Sequence, residues 1–112
     1  MAGLDADTLK MVLETLGEYS KKRINHELLR EHDKENRFPA EILKELYDPE
    51  KIGINLLMIP EEYGGLGGGS YDITLACEAL ARIDLGIATS VFATFLGSDP
   101  ISVGGTPEQK KK

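Results

Sequence analysis

Between Asp84 and Asp99 the chain carries no charged side chain. Leu85, Ile87, Ala88, Val91, Phe92, Phe95 and Leu96 recur at spacings that wrap most of the way round a helix. A helix with no polar face is unstable on a surface and has to be covered by other elements. At about a dozen residues, 85–96, it is too short to span a bilayer, which takes ~20. The spacing therefore predicts the central core helix of an all-α domain, capped by Asp84 and closed at Gly97.

The flanking sequence supplies the covering elements. Ile73, Ala76, Cys77, Leu80 and Ala81 share one face of a helix that Ser70 or Asp72 can cap, and Leu75, Ala79 and Ile83 make a second face. Apolar on two sides, that helix is expected between neighbours, with Glu78 and Arg82 paired on its polar strip. A first helix, capped by Asp7 or Thr8, carries Leu9, Val12, Leu13 and Leu16, and Ile24 and Leu28 continue its stripe past Gly17. Charge dominates residues 25–37, which read as an exposed helix end running into a loop. Pro39 opens a helix over 39–47 with Ile42, Leu43 and Leu46 on its apolar face, and Asp48-Pro49 stops it. Residues 52–60 are apolar enough for a strand. A lone strand cannot satisfy its own backbone, so they are expected as a connector packed on the helices. Asp99-Pro100 begins another turn of helix through Val103, Gly104-Gly105 break it, and Thr106-Pro107-Glu108 start a last helix. The chain ends four residues later, which reads as part of a longer protein.

Bulk properties narrow the function. One domain accounts for 1–112. A net charge of -6 leaves nucleic acid without an electrostatic footing, and Lys110-Lys111-Lys112 reads as a solvated terminus. Cys77 is the one cysteine, expected as a small buried hydrophobe in a chain from a reducing compartment. The stretch 1–7 is acidic and has neither the basic start and apolar run of a secretory signal nor the arginines of a transit peptide, so a cytoplasmic location is expected.

Five of the 12 glycines lie within 64–69. A P-loop needs Lys before Ser or Thr after its last glycine, and here Ser70 follows Gly69 directly. A dinucleotide fingerprint needs a third glycine where Gly65 and Gly67 are followed by Ser70, and Gly67 and Gly69 by Asp72. The cluster is therefore a structural turn. His26-Glu27 has Arg30 where a zinc helix needs its second histidine, and His32 has no convergent ligands, so no metal site is expected. Glu61-Glu62 and Glu31 with Asp33 lack apolar surroundings that would raise a carboxylate's pKa, and no catalytic residue is assigned.

Several segments carry a resemblance. Ile59-Pro60-Glu61-Glu62-Tyr63-Gly64-Gly65-Leu66-Gly67 resembles the I-P-E-E-Y-G-G-x-G turn of acyl-CoA dehydrogenases. Phe38-Pro39-Ala40-Glu41 is similar to that family's F-P-x-E helix start, and the segment from Glu78 to Asp84 to its E-x-L-A-R-x-D segment. Leu96-Gly97 with Pro100-Ile101, and Gly105-Thr106-Pro107-Glu108-Gln109-Lys110, resemble the L-G-x-x-P-I and G-T-x-E-Q-K segments that follow. The five stand in the family's order over 38–112.

The resemblance implies an orthogonal helical bundle of about five to six helices, the N-terminal domain of an enzyme whose β middle and helical C-terminal domains lie outside this chain. It implies an FAD enzyme that oxidises an acyl-CoA thioester to the 2,3-enoyl-CoA, a carboxylate taking the α-proton and flavin N5 the β-hydride. FAD is expected in the full-length parent and not on this segment, since Gly97-Ser98-Asp99 imitates only the tail of the flavin signature. The segment alone is expected to be inactive. An electron-transfer flavoprotein partner and a homodimer or homotetramer are implied for the parent. By position, Ala88, Thr89, Phe92 and Leu96 are implied as one wall of the acyl-chain pocket, or else as plain core packing. The link from Tyr47 to Gly53 is longer than the family's usual one and points away from the short- and medium-chain enzymes. An acyl-CoA oxidase or flavin monooxygenase of the same superfamily, and a stand-alone helical binding module, are the competing readings. The surfaces that meet other domains are expected to leave an exposed apolar patch on the chain.

Overall fold

A computed structural model describes residues 3–112; Met1 and Ala2, the start of the stretch read for targeting signals, lie outside them. The first helix, α1 (Ala6–Arg23), begins one cap earlier than its spacing suggested. Asp5 accepts from the Thr8 amide at 2.9 Å and from the Thr8 hydroxyl at 2.8 Å. Its apolar stripe does not run on into the charged stretch. Ile24 closes α1 by donating its amide to Ser20, and Asn25 opens a separate helix, α2 (His26–Glu35), by accepting from the Leu28 amide at 2.9 Å. Residues 25–37 are thus mostly helical, a correction with a simple cause. An asparagine whose side chain caps the next turn competes with continuation of the helix it ends, while exposed charge opposes no helix. Asn36, left-handed at φ 49°, terminates α2.

Pro39 caps α3 (Ala40–Tyr47) instead of lying inside it, and Ile42, Leu43 and Leu46 are buried as their spacing predicts. An Arg23–Glu45 ion pair joins α1 to α3, with the guanidinium Nε and Nη2 both on the carboxylate at 2.7–3.2 Å. Arg23 holds the Glu45 carboxyl below the usual range. That contribution to stability is present above the ordinary carboxylate pKa and is lost as pH falls through the lowered one.

The connector forms two short 3-10 turns, Ile54–Met58 and Glu61–Tyr63, and no strand occurs among the described residues. The glycine run folds back on the first turn. Leu66 donates to the Leu56 carbonyl at 2.8 Å, Gly67 to Ile59 at 2.9 Å and Gly68 to Leu57 at 2.7 Å. These bonds satisfy an apolar backbone segment that has no sheet to join. They also deliver the chain to α4 (Ser70–Ile83).

Asp72, in the first turn of α4, is buried, and its Oδ2 accepts from the Gly69 amide at 2.7 Å and the Leu4 amide at 2.9 Å. One carboxylate thereby caps α4 and pins the amino-terminal segment to it. Asp72→Ala leaves both donors unpaired and is expected to cost about 2–3 kcal/mol in urea unfolding. Asp72→Asn, which keeps an acceptor, should recover most of that loss; equal loss in both variants would mean the contact to Leu4 is not maintained.

Asp84 links α4 to α5 (Leu85–Gly104) and caps it, accepting from the Ile87 amide at 2.8 Å. Gly97 does not end this helix, and Pro100 lies inside it. A proline here forfeits the backbone bond to the Leu96 carbonyl, on a stretch where Leu96, Gly97 and Pro100 are all exposed. A short α6 (Pro107–Lys111) follows from the helix start expected at Thr106, which forms a capping box with Gln109.

The six helices form an all-α domain. Leu16 of α1, Leu46 of α3, Leu57 of the connector, Leu80 of α4 and Val91 of α5 meet in one core. α4 packs against α5 and α1, and α5 also rests on α3 and the connector. One expectation needs correcting here: α5 is central but not enclosed. Ile87, Ala88, Val91 and Phe95 are buried, whereas Leu85, Leu96 and Val103 are 71%, 77% and 83% exposed. The accessible surface of 7600 Å² is about a quarter above the roughly 6,100 Å² usual for a monomer of 12.3 kDa. Leu85 and Leu96 border the space between α5 and α4, and Val103 lies farther along α5 toward its end.

Candidate functional site

α4 and α5 run back from the Asp84 corner against each other and leave an open trough of about 530 Å³ between them. Ala88, Thr89, Phe92 and Leu96 all line it. Thr89 donates its hydroxyl proton to the Leu85 carbonyl at 2.8 Å, so that donor is engaged within α5. Phe92 stands edge-on to Phe95, ring centroids 5.1 Å apart at 66°, a favoured aromatic geometry that fixes both rings. Asp99 is the one Asp, Glu, Lys or Arg of the lining. A trough of this size and chemistry suits an alkyl chain and offers little to a polar ligand.

The residues not foreseen at this site come from the other wall. Ile73, Cys77 and Ala81, four residues apart on α4, face the trough, and Met58 reaches it from the connector. Sequence spacing groups Ile73, Cys77 and Ala81 with Ala76 and Leu80 on a single face. In the fold Ala76 and Leu80 are buried in the core, and the other three lie at its edge. The four-residue step was a legible signal; which half of a wide stripe meets the core was not. Burial pushes the Cys77 thiol up, so it stays protonated and acts as apolar lining.

Elsewhere the chemistry is quiet. His32 Nδ1 lies 2.9 Å from the Leu28 carbonyl one turn back, and His26, Glu61 and Glu62 are exposed. No group of three or more His, Cys, Asp or Glu side chains among the described residues is placed to hold a metal, and no helix among them is long and apolar enough to cross a membrane. Gly97-Ser98-Asp99 is continuous with α5, with the Ser98 hydroxyl donating to the Phe95 carbonyl at 3.2 Å. Helical backbone whose amides point into its own turn cannot cradle a flavin phosphate, so these residues do not fit that cofactor. Tyr47 braces the site from behind: its hydroxyl meets the Thr94 hydroxyl at 2.6 Å and donates to the Ser90 carbonyl at 3.3 Å, fixing α5 on α3.

A family model described as the acyl-CoA dehydrogenase N-terminal domain matches residues 6–112. The chain belongs to the acyl-CoA dehydrogenase family. Relatives of this acyl-CoA dehydrogenase domain bear the same name. It is 34% identical over 80 residues to a probable medium-chain specific acyl-CoA dehydrogenase 2, mitochondrial, of Caenorhabditis briggsae, covering 71% of this chain and 19% of that one. It is 32% identical over 105 residues to the probable acyl-CoA dehydrogenase YngJ of Bacillus subtilis, covering 91% and 26%. It is 35% identical over 82 residues to the probable acyl-CoA dehydrogenase FadE25 of Mycobacterium tuberculosis, covering 73% and 20%. The chain thus spans between 19% and 26% of the length of these relatives. No solved structure matches it.

Proposed function

We propose that this domain serves an FAD-dependent acyl-CoA dehydrogenase, which introduces the α,β double bond into an acyl-CoA thioester, and that the α4–α5 trough is one wall of the acyl-chain pocket. The observation that carries the reading is the convergence of Ala88, Thr89, Phe92 and Leu96 on a single apolar trough in a member of this family. Their part is to bind and to exclude water. Each methylene buried there contributes up to ~0.8 kcal/mol, and the lining presents few groups that would hold water beside the chain. The chemistry resides outside this domain, so the 112 residues alone are inactive. FAD, an electron-transfer flavoprotein and a homodimeric or homotetrameric assembly belong to the parent protein, placed in the cytoplasm. A dehydrogenase is favoured over an oxidase because the relatives are named dehydrogenases. A stand-alone module is disfavoured by the exposed leucines and valine of α5, which call for a covering domain.

The test is to read the gene past the codon for Lys112, express the complete frame and assay acyl-CoA-dependent dye reduction with enoyl-CoA detection. Activity is expected in the complete product and none in the 112-residue chain. Phe92→Ala in the complete product should move the preferred acyl length upward. Failure of the complete product to reduce the dye with any acyl-CoA overturns the reading, and an unchanged length profile in Phe92→Ala removes the trough from it.

A further inference from the structure

One face of α5 lines the trough, and the contact that fixes that face lies behind it. Ser90 and Thr94 stand two residues before and after Phe92, which at 3.6 residues per turn puts each about 160° round the helix from it. Tyr47 reaches both. Its hydroxyl donates to the Ser90 carbonyl at 3.3 Å, and the Thr94 hydroxyl lies 2.6 Å from it. A single side chain of α3 thus clips the turn of α5 that carries Phe92 on its other side. The two flanks of α5 between clip and trough are unlike. Ile87, Val91 and Phe95 are buried on one, whereas Gly86, Ala93 and Gly97 on the other are exposed. Core packing therefore resists a roll of α5 from one flank only, and the Tyr47 clip resists it from the back.

We propose that Tyr47 is a positioning residue for the acyl pocket, holding the roll of α5 that presents Phe92 to the alkyl chain. This rests on the acyl-pocket reading above. The mount is firm: Tyr47 is the last residue of α3, next to the buried Leu46, and the Asp48 carbonyl that follows accepts from the Lys51 and Ile52 amides at 3.0 Å. Tyr47 is not among the residues that line the trough, so its effect on a bound chain passes through α5. With the clip released, α5 turns and Phe92 leaves its place on the wall. Binding then loosens and the preference for one acyl length blurs, while the reacting groups, outside this domain, are untouched.

The test uses the complete product and saturated acyl-CoA substrates from butanoyl to dodecanoyl. Tyr47→Phe keeps the ring and loses both contacts. It is expected to raise KM for the preferred length about three- to tenfold, with kcat within about twofold, and to flatten the length profile. Thr94→Val should do the same in part, and Thr94→Ser, which restores the hydroxyl, should return the parent profile. In a Phe92→Ala background, Tyr47→Phe should change KM by less than about twofold, because the side chain it positions is gone. A Tyr47→Phe product with a lowered Tm but the parent KM and profile overturns the positioning role, and so does a KM effect undiminished by Phe92→Ala. Either result leaves the pocket intact where Phe92→Ala itself moves the length profile. If Phe92→Ala leaves the profile unmoved, the acyl-pocket reading falls.

Discussion

Gly65→Ala is expected to unfold most of the protein at 25 °C. A Cβ at this position would fall on the carbonyl of Ile59, deep inside van der Waals contact, and the obstacle is backbone, which cannot rotate away. That carbonyl also accepts from Gly67, and its neighbours Leu56 and Leu57 accept from Leu66 and Gly68. Relieving the overlap therefore breaks several of these bonds at about 1–3 kcal/mol for each group left unpaired, and unseats Leu57 from the core. A cost above ~4 kcal/mol takes up most of the ~5–15 kcal/mol that holds a domain of this size. Gly64→Ala is the control. Gly64 sits at φ 87° with open space around its Cβ position, so alanine there pays only the left-handed penalty, about 1–2 kcal/mol. Urea midpoints of the two variants separate close approach from backbone conformation. Equal midpoints would show that the turn does not press on Ile59.

Leu80→Ala is the second large effect. Leu80 is 1% exposed on the helix that packs against both α1 and α5, so its removal opens a cavity that rigid neighbours cannot fill. The expected loss is about 3–4 kcal/mol, or roughly 12–20 °C in Tm. On the opposite side of the same helix, the exposed Glu78–Arg82 pair should contribute no more than about 0.5 kcal/mol, and Glu78→Ala is the matched control. A Leu80→Ala melt within 5 °C of the parent, where ~1 kcal/mol is the corresponding loss, would show that α4 is not the hub of the core.

The contrast between these helices also marks what spacing reveals. Ile42, Leu43 and Leu46 read as one apolar face and are one, all three buried in the core. The wide stripe of α4 is divided between core and trough, and the uncharged α5 between core and open surface. Apolarity states that a side chain leaves water; it does not state which neighbour receives it. The pocket positions taken from the family resemblance converge in the trough, yet Met58 was invisible at this site because it arrives from a connector far away in sequence.

Sequence alone determined the helix starts that depend on local chemistry: the caps at Asp84 and Thr106, the stop at Asp48-Pro49, and the glycine turn with its family signature. These rest on hydrogen bonds and backbone preferences within a few residues, which the chain carries wherever it goes. Tertiary structure alone decided which half of the α4 stripe meets the core, and that Met58 shares the trough lining with Ile73, Cys77 and Ala81. Both halves of the stripe are apolar, so only the neighbours each half meets decide which one is covered.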